Sequence, residues 1–164
     1  MAVVAVFDKA VVSFPGRERV ARTLRGPAFI HATALDTNEM IGMFDVVVPP
    51  GKGPTRHTHT RELEVFRVID GTFRFWCADE QFDAPTGTTV TLPPHVPHHW
   101  RNVGDTPGRL FAIVAPGGFE QFFIEVQRTN AQTVEDGIAI QEKLGVIEAT
   151  PAEQAAAEAR HVSE

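Results

Sequence analysis

Histidine is unevenly spread along this chain: five of its seven residues fall in two tight groups, His57 with His59, and His95 with His98 and His99. In His57-Thr58-His59 the two imidazoles are two residues apart, so on an extended strand both project from the same face. Neutral imidazole is a ligand for zinc, copper, iron and nickel, and two on one face make half of a metal site. Taken alone, such a pair is as readily a feature of a polar surface loop. The spacing around it changes that reading. Outward from the pair come Gly51, five residues, His57, one residue, His59, four residues, Glu64, six residues and Gly71. The second group follows Gly87, five residues and Pro93, and runs from His98 through three residues to Asn102.

This arrangement resembles the two signature motifs of the cupin superfamily, G-x5-H-x-H-x3,4-E-x6-G and G-x5-P-x-G-x2-H-x3-N, in the right order from Gly51 to Asn102. One position departs: His95 stands where the second motif usually has glycine, in the turn before the last histidine. The resemblance implies an all-β, jelly-roll barrel in which His57, His59, Glu64 and His98 hold one divalent transition-metal ion (Fe, Mn, Ni, Co, Cu or Zn), strands on opposite sides supplying the two halves. Three neutral nitrogens and a carboxylate suit such an ion, and they leave coordination positions open, as catalytic rather than structural sites do. Glu62 could ligate by type, but the resemblance assigns Glu64, which leaves Glu62 as a solvated or supporting charge. His99 alternates with His98 and should face the other way. His95 and His31 read as turn and strand histidines that could line a pocket mouth.

After the last expected barrel strand, Ala115-Pro116-Gly117-Gly118-Phe119-Glu120-Gln121-Phe122-Phe123 is similar to the P-G-G-F-E-x-F-F segment of small single-cupin proteins related to quercetin 2,3-dioxygenases. In that family the metal binds a deprotonated hydroxyl of a flavonol or similar enol, the ligand glutamate takes up the proton, and dioxygen cleaves the ring. Carried over, Glu64 is both ligand and proton acceptor, and the expected activity is a metal-dependent dioxygenase using O₂ and an apolar or aromatic substrate as a metal-bound enolate. Two other classes compete: a non-catalytic binding cupin, weakened by the lack of a recognisable helix-turn-helix segment, and a cupin isomerase or decarboxylase. The chain has 12 Phe, 2 Trp and no Tyr, with Phe44, Phe66, Phe73, Phe75 and Phe111 in expected strands. Singly each is a core residue; as a set they disfavour a phosphosugar site, which needs cations aimed inward.

The elements that must position these residues show in the rhythm of Val, Phe, Ile and Thr against Gly, Pro, Asp and Asn. It predicts strands at Phe29–Ala34, Met40–Val48, Glu64–Ile69, Thr72–Cys77, Thr88–Leu92, His98–Asn102 and Leu110–Ala115. Residues 1–128 are thus read as the barrel domain with an N-terminal strand extension. Residues 129–164 are read as a helical tail packed on the barrel or on a partner subunit, dispensable for metal binding. Thr133 and Asp136 are spaced as a capping box with Gly145 as the stop, and Thr150-Pro151-Ala152-Glu153 opens a second tail helix.

The totals set the class. With 164 residues, 43% hydrophobic and 22% charged, the chain is one globular domain able to bury a core. A net charge of −6 and no basic patch argue against nucleic acid as a partner. The first fourteen residues lack the basic start of a signal peptide, and Asp8 and Lys9 interrupt their apolar run. No run is long enough to span a membrane, so the expectation is a cytoplasmic protein without a membrane partner. Cys77, the only cysteine, fits a reducing compartment. Exposed sheet edges and tail helices make a homodimer the expected assembly.

Overall fold

The computed structural model describes residues 7–23 and 26–159; the start of the stretch weighed as a leader and the end of the helical tail lie outside them. The chain runs β1 (Arg19–Thr23), β2 (Gly26–Ala32), β3 (Gly42–Val48), β4 (His57–His59), β5 (Leu63–Asp70), β6 (Thr72–Cys77), β7 (Glu80–Pro85), β8 (Thr89–Leu92), β9 (His98–Asn102) and β10 (Gly108–Ala115). Then follow α1 (Gln121–Thr129), α2 (Val134–Lys143), β11 (Val146–Glu148) and α3 (Pro151–Ala159). Two antiparallel sheets form, ordered β1-β2-β3-β10-β5-β8 and β11-β4-β9-β6-β7, as the all-β jelly-roll reading expects.

Period-2 alternation drives the closure of one sheet over the other. Along β10, Gly108, Leu110, Ala112 and Val114 are buried while their neighbours are half-buried. Leu110 and Ala112 lie opposite Val46 and Phe44 of β3 on one side, and opposite Val68 and Phe66 of β5 on the other. Phe73 and Phe75 of β6 close the core from the second sheet. A core of this kind releases apolar surface from water at about 25 cal/mol per Å², and it holds β4, β5 and β9 at fixed separation.

The tail differs from the sequence reading in one respect that bears on function. Its helices are present, with the Thr133–Asp136 capping box formed and Gly145 at φ +81° as the stop. Between α2 and α3, however, β11 adds a strand beside β4, with Val146 opposite His59 and Glu148 opposite His57. Thr60 reinforces the junction: its backbone N–H and its hydroxyl both donate to the Gly145 carbonyl, at 3.0 and 2.6 Å. The tail is therefore not helix alone, and it supports the strand that carries the two histidines. A chain ending at Thr129 is expected to lose most of any bound metal, measured by metal analysis after dialysis; full occupancy would show that β4 keeps its shape without β11.

Candidate metal centre

The four residues expected as ligands are placed by three strands, β4, β5 and β9. His57 and His59 alternate about Thr58 on β4, and both are buried while Thr58 is not. His98 sits on β9 directly opposite His57. Glu64 comes from the other sheet, where β5 runs between β8 and β10 and Glu64 lies opposite Leu92 and Val114. One ligand atom from each of the four lies within 4.8 Å of every other, and all four residues are buried. The histidine ring centroids are 4.7 to 5.7 Å apart.

The hydrogen bonds behind the rings fix their tautomers. His57 Nδ1 is 2.8 Å from the Thr55 carbonyl and His98 Nδ1 is 2.9 Å from the Val96 carbonyl. A carbonyl only accepts, so each Nδ1 carries the proton and each Nε2 presents its lone pair to the centre. His59 Nδ1 faces Glu62 Oε2 at 3.2 Å, a carboxylate–histidine pair of the kind that orients metal ligands. Glu62 is thus buried and bonded, not solvated.

The donor set fits a cation. His98 Nε2 is 2.9 Å from Glu64 Oε2 and His59 Nε2 is 3.5 Å from Glu64 Oε1. With the Nδ1 positions protonated, these contacts set lone pair against lone pair unless a proton or a metal ion lies between them. His59 Nε2 is moreover buried with no hydrogen-bond partner among the described residues. A divalent ion resolves both conditions at once.

Electrostatics point the same way. Burial, reinforced by charge on His98, pushes His57 down to about 3 against the opposing pull of Glu64, so it is held neutral. Burial also works against charge on His59, but the carboxylates of Glu64 and Glu62 outweigh it and raise its pKa. Burial alone would raise Glu64; the imidazoles gathered around it, His59 first and then His98 and His57, overcome that and bring the carboxyl to about 2. Glu64 is thus anionic across ordinary pH, as a metal ligand must be.

The remaining histidines lie elsewhere. His99 points away from His98, stacked on Trp76 at 4.4 Å with Nε2 3.4 Å from Glu158 of α3. Its burial, resisted by Glu158, lowers it to about 4. His31 bonds Ser13 on the outer side of the first sheet and does not line the cavity at the centre; nor does His95. His95 adopts φ +63°, the left-handed region that explains the usual glycine there, and its N–H donates to the His59 carbonyl at 2.8 Å. The departure from the motif thus leaves the turn intact.

The Pro116-Gly117-Gly118-Phe119-Glu120 segment also reaches the centre. The fully buried Glu120 carboxylate accepts from Ala34 N–H at 2.7 Å and Gly118 N–H at 2.8 Å. A Cβ on Gly42 would come within 2.1 Å of that carboxylate, so glycine is required there. This clamp sets the Phe119 ring edge-on to His59 at 4.6 Å. Beyond Phe119, a cavity of about 120 Å³ opens onto His57 and Glu64, walled by Phe44, Phe66, Trp100, Phe119, Phe122 and Phe123. The α2 side of its wall, Gln141 included, was outside the reach of motif reasoning.

Comparison with known proteins agrees with this architecture. Residues 44–114, the stretch that carries His57, His59, Glu64 and His98, match the cupin domain family. Its fold is that of KdgF from Halomonas sp. (TM-score 0.61, 15% identity, covering 69% of this chain and 99% of that one). It is also that of an RmlC-like cupin from Shewanella frigidimarina (TM-score 0.60, 19% identity, covering 69% and 96%). Among curated proteins, Protein SchB of Streptomyces halstedii is 32% identical over 84 residues, 51% of this chain and 59% of that protein. An uncharacterized protein of Methanocaldococcus jannaschii, MJ1618, is 26% identical over 72 residues, 44% and 58% respectively. The chain thus spans under three-fifths of the length of both curated relatives.

Two outcomes follow from the centre. The purified protein is expected to hold about one divalent transition ion per chain, and His57→Ala/His98→Ala to hold almost none, by metal analysis. Stoichiometric metal in the double variant would remove these residues as ligands. The metal-free protein is expected to lose stability as pH falls from 6.5 towards 4. In that window the unfolded chain protonates histidines that folding keeps neutral at His57 and His99, so it binds more protons than the native state. Identical urea midpoints at pH 7 and pH 5 would contradict this.

Proposed function

We propose that this chain is a metal-dependent dioxygenase acting on an aromatic or enolic small molecule. The observation that carries the reading is the junction of the His57, His59, Glu64 and His98 group with an aromatic-walled cavity, into which His57 and Glu64 both face. A bound divalent ion supplies Lewis acidity that makes a substrate hydroxyl acidic, together with a place for O₂ to meet it. The chain's own residues do the rest. Glu64, already anionic, accepts the proton at a carboxylate oxygen. His57, His59 and His98 keep their Nε2 lone pairs inward because Thr55, Glu62 and Val96 hold their Nδ1 protons. The Phe44, Phe66 and Phe119 rings offer an apolar aromatic surface to the substrate and keep bulk water off Glu64. Among the described residues lining the cavity there is no lysine or arginine, which favours a substrate without phosphate.

The test is oxygen uptake by the metal-loaded protein with a panel of flavonols, catechols and diketones. Glu64→Gln is expected to retain much of the metal, since the amide oxygen can fill the same position, while turnover falls by about 10²-fold or more for want of a proton acceptor. Equal turnover in the variant would leave Glu64 a ligand only. No uptake by fully metallated wild type would overturn the dioxygenase reading in favour of a non-catalytic binding protein.

A further inference from the structure

The cavity has a wall that the metal group does not explain. On α2, Val134, Gly137, Ile138 and Gln141 all line it, at the 3- and 4-residue spacings that put them on one helix face. Three of these are apolar or without a side chain. The fourth, Gln141, is 9% exposed, and its amide makes no side-chain hydrogen bond to any described residue. Other polar side chains around the cavity are engaged: Thr23 Oγ1 donates to the Gly26 carbonyl at 2.7 Å, and Thr55 Oγ1 to Glu148 at 2.6 Å. The Gln141 amide is not among the fully buried unpaired groups of the described residues; it opens onto the cavity, where a ligand's polar group can meet it.

Size narrows the occupant. A cavity of about 120 Å³ is comparable to the roughly 150 Å³ apolar cavity that encloses one benzene ring. A three-ring flavonol exceeds it. We propose that Gln141 is the specificity residue of this cavity, selecting a single-ring aromatic that presents one hydroxyl to the Glu64 side and a second hydroxyl or carbonyl to the Gln141 amide. This rests on reading the cavity as the substrate site. An amide both donates and accepts, so it meets either group. A ring lacking the second group leaves Gln141 unpaired and is rejected for that reason.

The test measures binding without turnover, on the full chain loaded with redox-inactive Zn²⁺, by calorimetry and by the fluorescence of Trp100 in the cavity wall. The probes are phenol, resorcinol, hydroquinone and quercetin. Wild type is expected to bind the better dihydroxybenzene about tenfold more tightly than phenol, and quercetin more weakly than either. In Gln141→Leu the preference should fall to within about twofold while phenol affinity is kept, and Gln141→Met, which keeps the length of the side chain without its amide, should behave alike if the leucine variant folds poorly. An unchanged preference in both variants, tighter binding of quercetin, or no binding of any probe overturns the proposal. Oxygen uptake is scored separately with the turnover metal. A lost preference with no uptake by wild type would sink the dioxygenase reading and keep Gln141 as the selector. Normal uptake with an unchanged preference would do the reverse.

Discussion

A carboxylate and three imidazoles buried together in an apolar barrel constitute the constraint on which the rest of this structure depends. Each polar atom taken out of water must be met by a partner, and an isolated buried charge costs several kcal/mol. Three of the obligations are met locally, by the Thr55 and Val96 carbonyls and by Glu62, each at an Nδ1. Those bonds leave the Nε2 atoms and the Glu64 oxygens converging with nothing but one another to satisfy them, a condition that a cation meets and a packed apolar core does not. The fold around the cluster is the means of keeping that convergence from relaxing.

That rigidity comes from strands on both sheets. Glu64 belongs to β5, held between β8 and β10, whereas the histidines belong to β4 and β9 of the opposite sheet. The distance from carboxylate to imidazole is therefore set by how the sheets pack, through residues such as Phe66, Phe75 and Leu110. Glu120 adds a second fixed point, tying the 115–120 turn to Ala34 so that Phe119 cannot swing away from His59. A cavity wall built on a buried carboxylate clamp is a more exact surface for a small ligand than one built on a mobile loop.

The His57, His59, Glu64 and His98 group could be picked out from sequence because metal chemistry restricts both residue type and spacing, and because the turns between these residues demand glycine or proline. The strands were readable where one face is buried and alternation is strong, as in β6 and β9, whose limits agree with the sequence reading. Reading failed where the signal is tertiary. In β7 only Ala84 is buried, so no alternation marks it. The three residues of β11 lie between two helix signals and become a strand only because β4 offers an open edge. Helix α1 lacks the usual side-chain cap, since Glu120 spends its carboxylate on Ala34 and Gly118. The burial of Glu62 and the exposure of Gln141 to the cavity are likewise invisible in composition, because a residue type does not say which face of an element will be covered.

Strand alternation also gives the candidate metal centre two sides. The period that turns His98 inward turns His99 outward, onto Trp76 and towards Glu158, which also accepts from Arg101 at 3.0 Å. Immediately before β4, the Arg56 backbone bonds Gln154 and Ala149, and Thr55 bonds Glu148. The open edge of β4 therefore takes β11 and the outer surface of β9 takes α3, while the inner surface of both strands carries the three histidines. Whatever binds the inner face favours the conformation of these strands that the tail also requires, and thermodynamic linkage makes the effect reciprocal. Since α2 contributes the cavity wall as well, the tail reaches the candidate centre twice, once by shaping the strands that carry its histidines and once by enclosing the space in front of them.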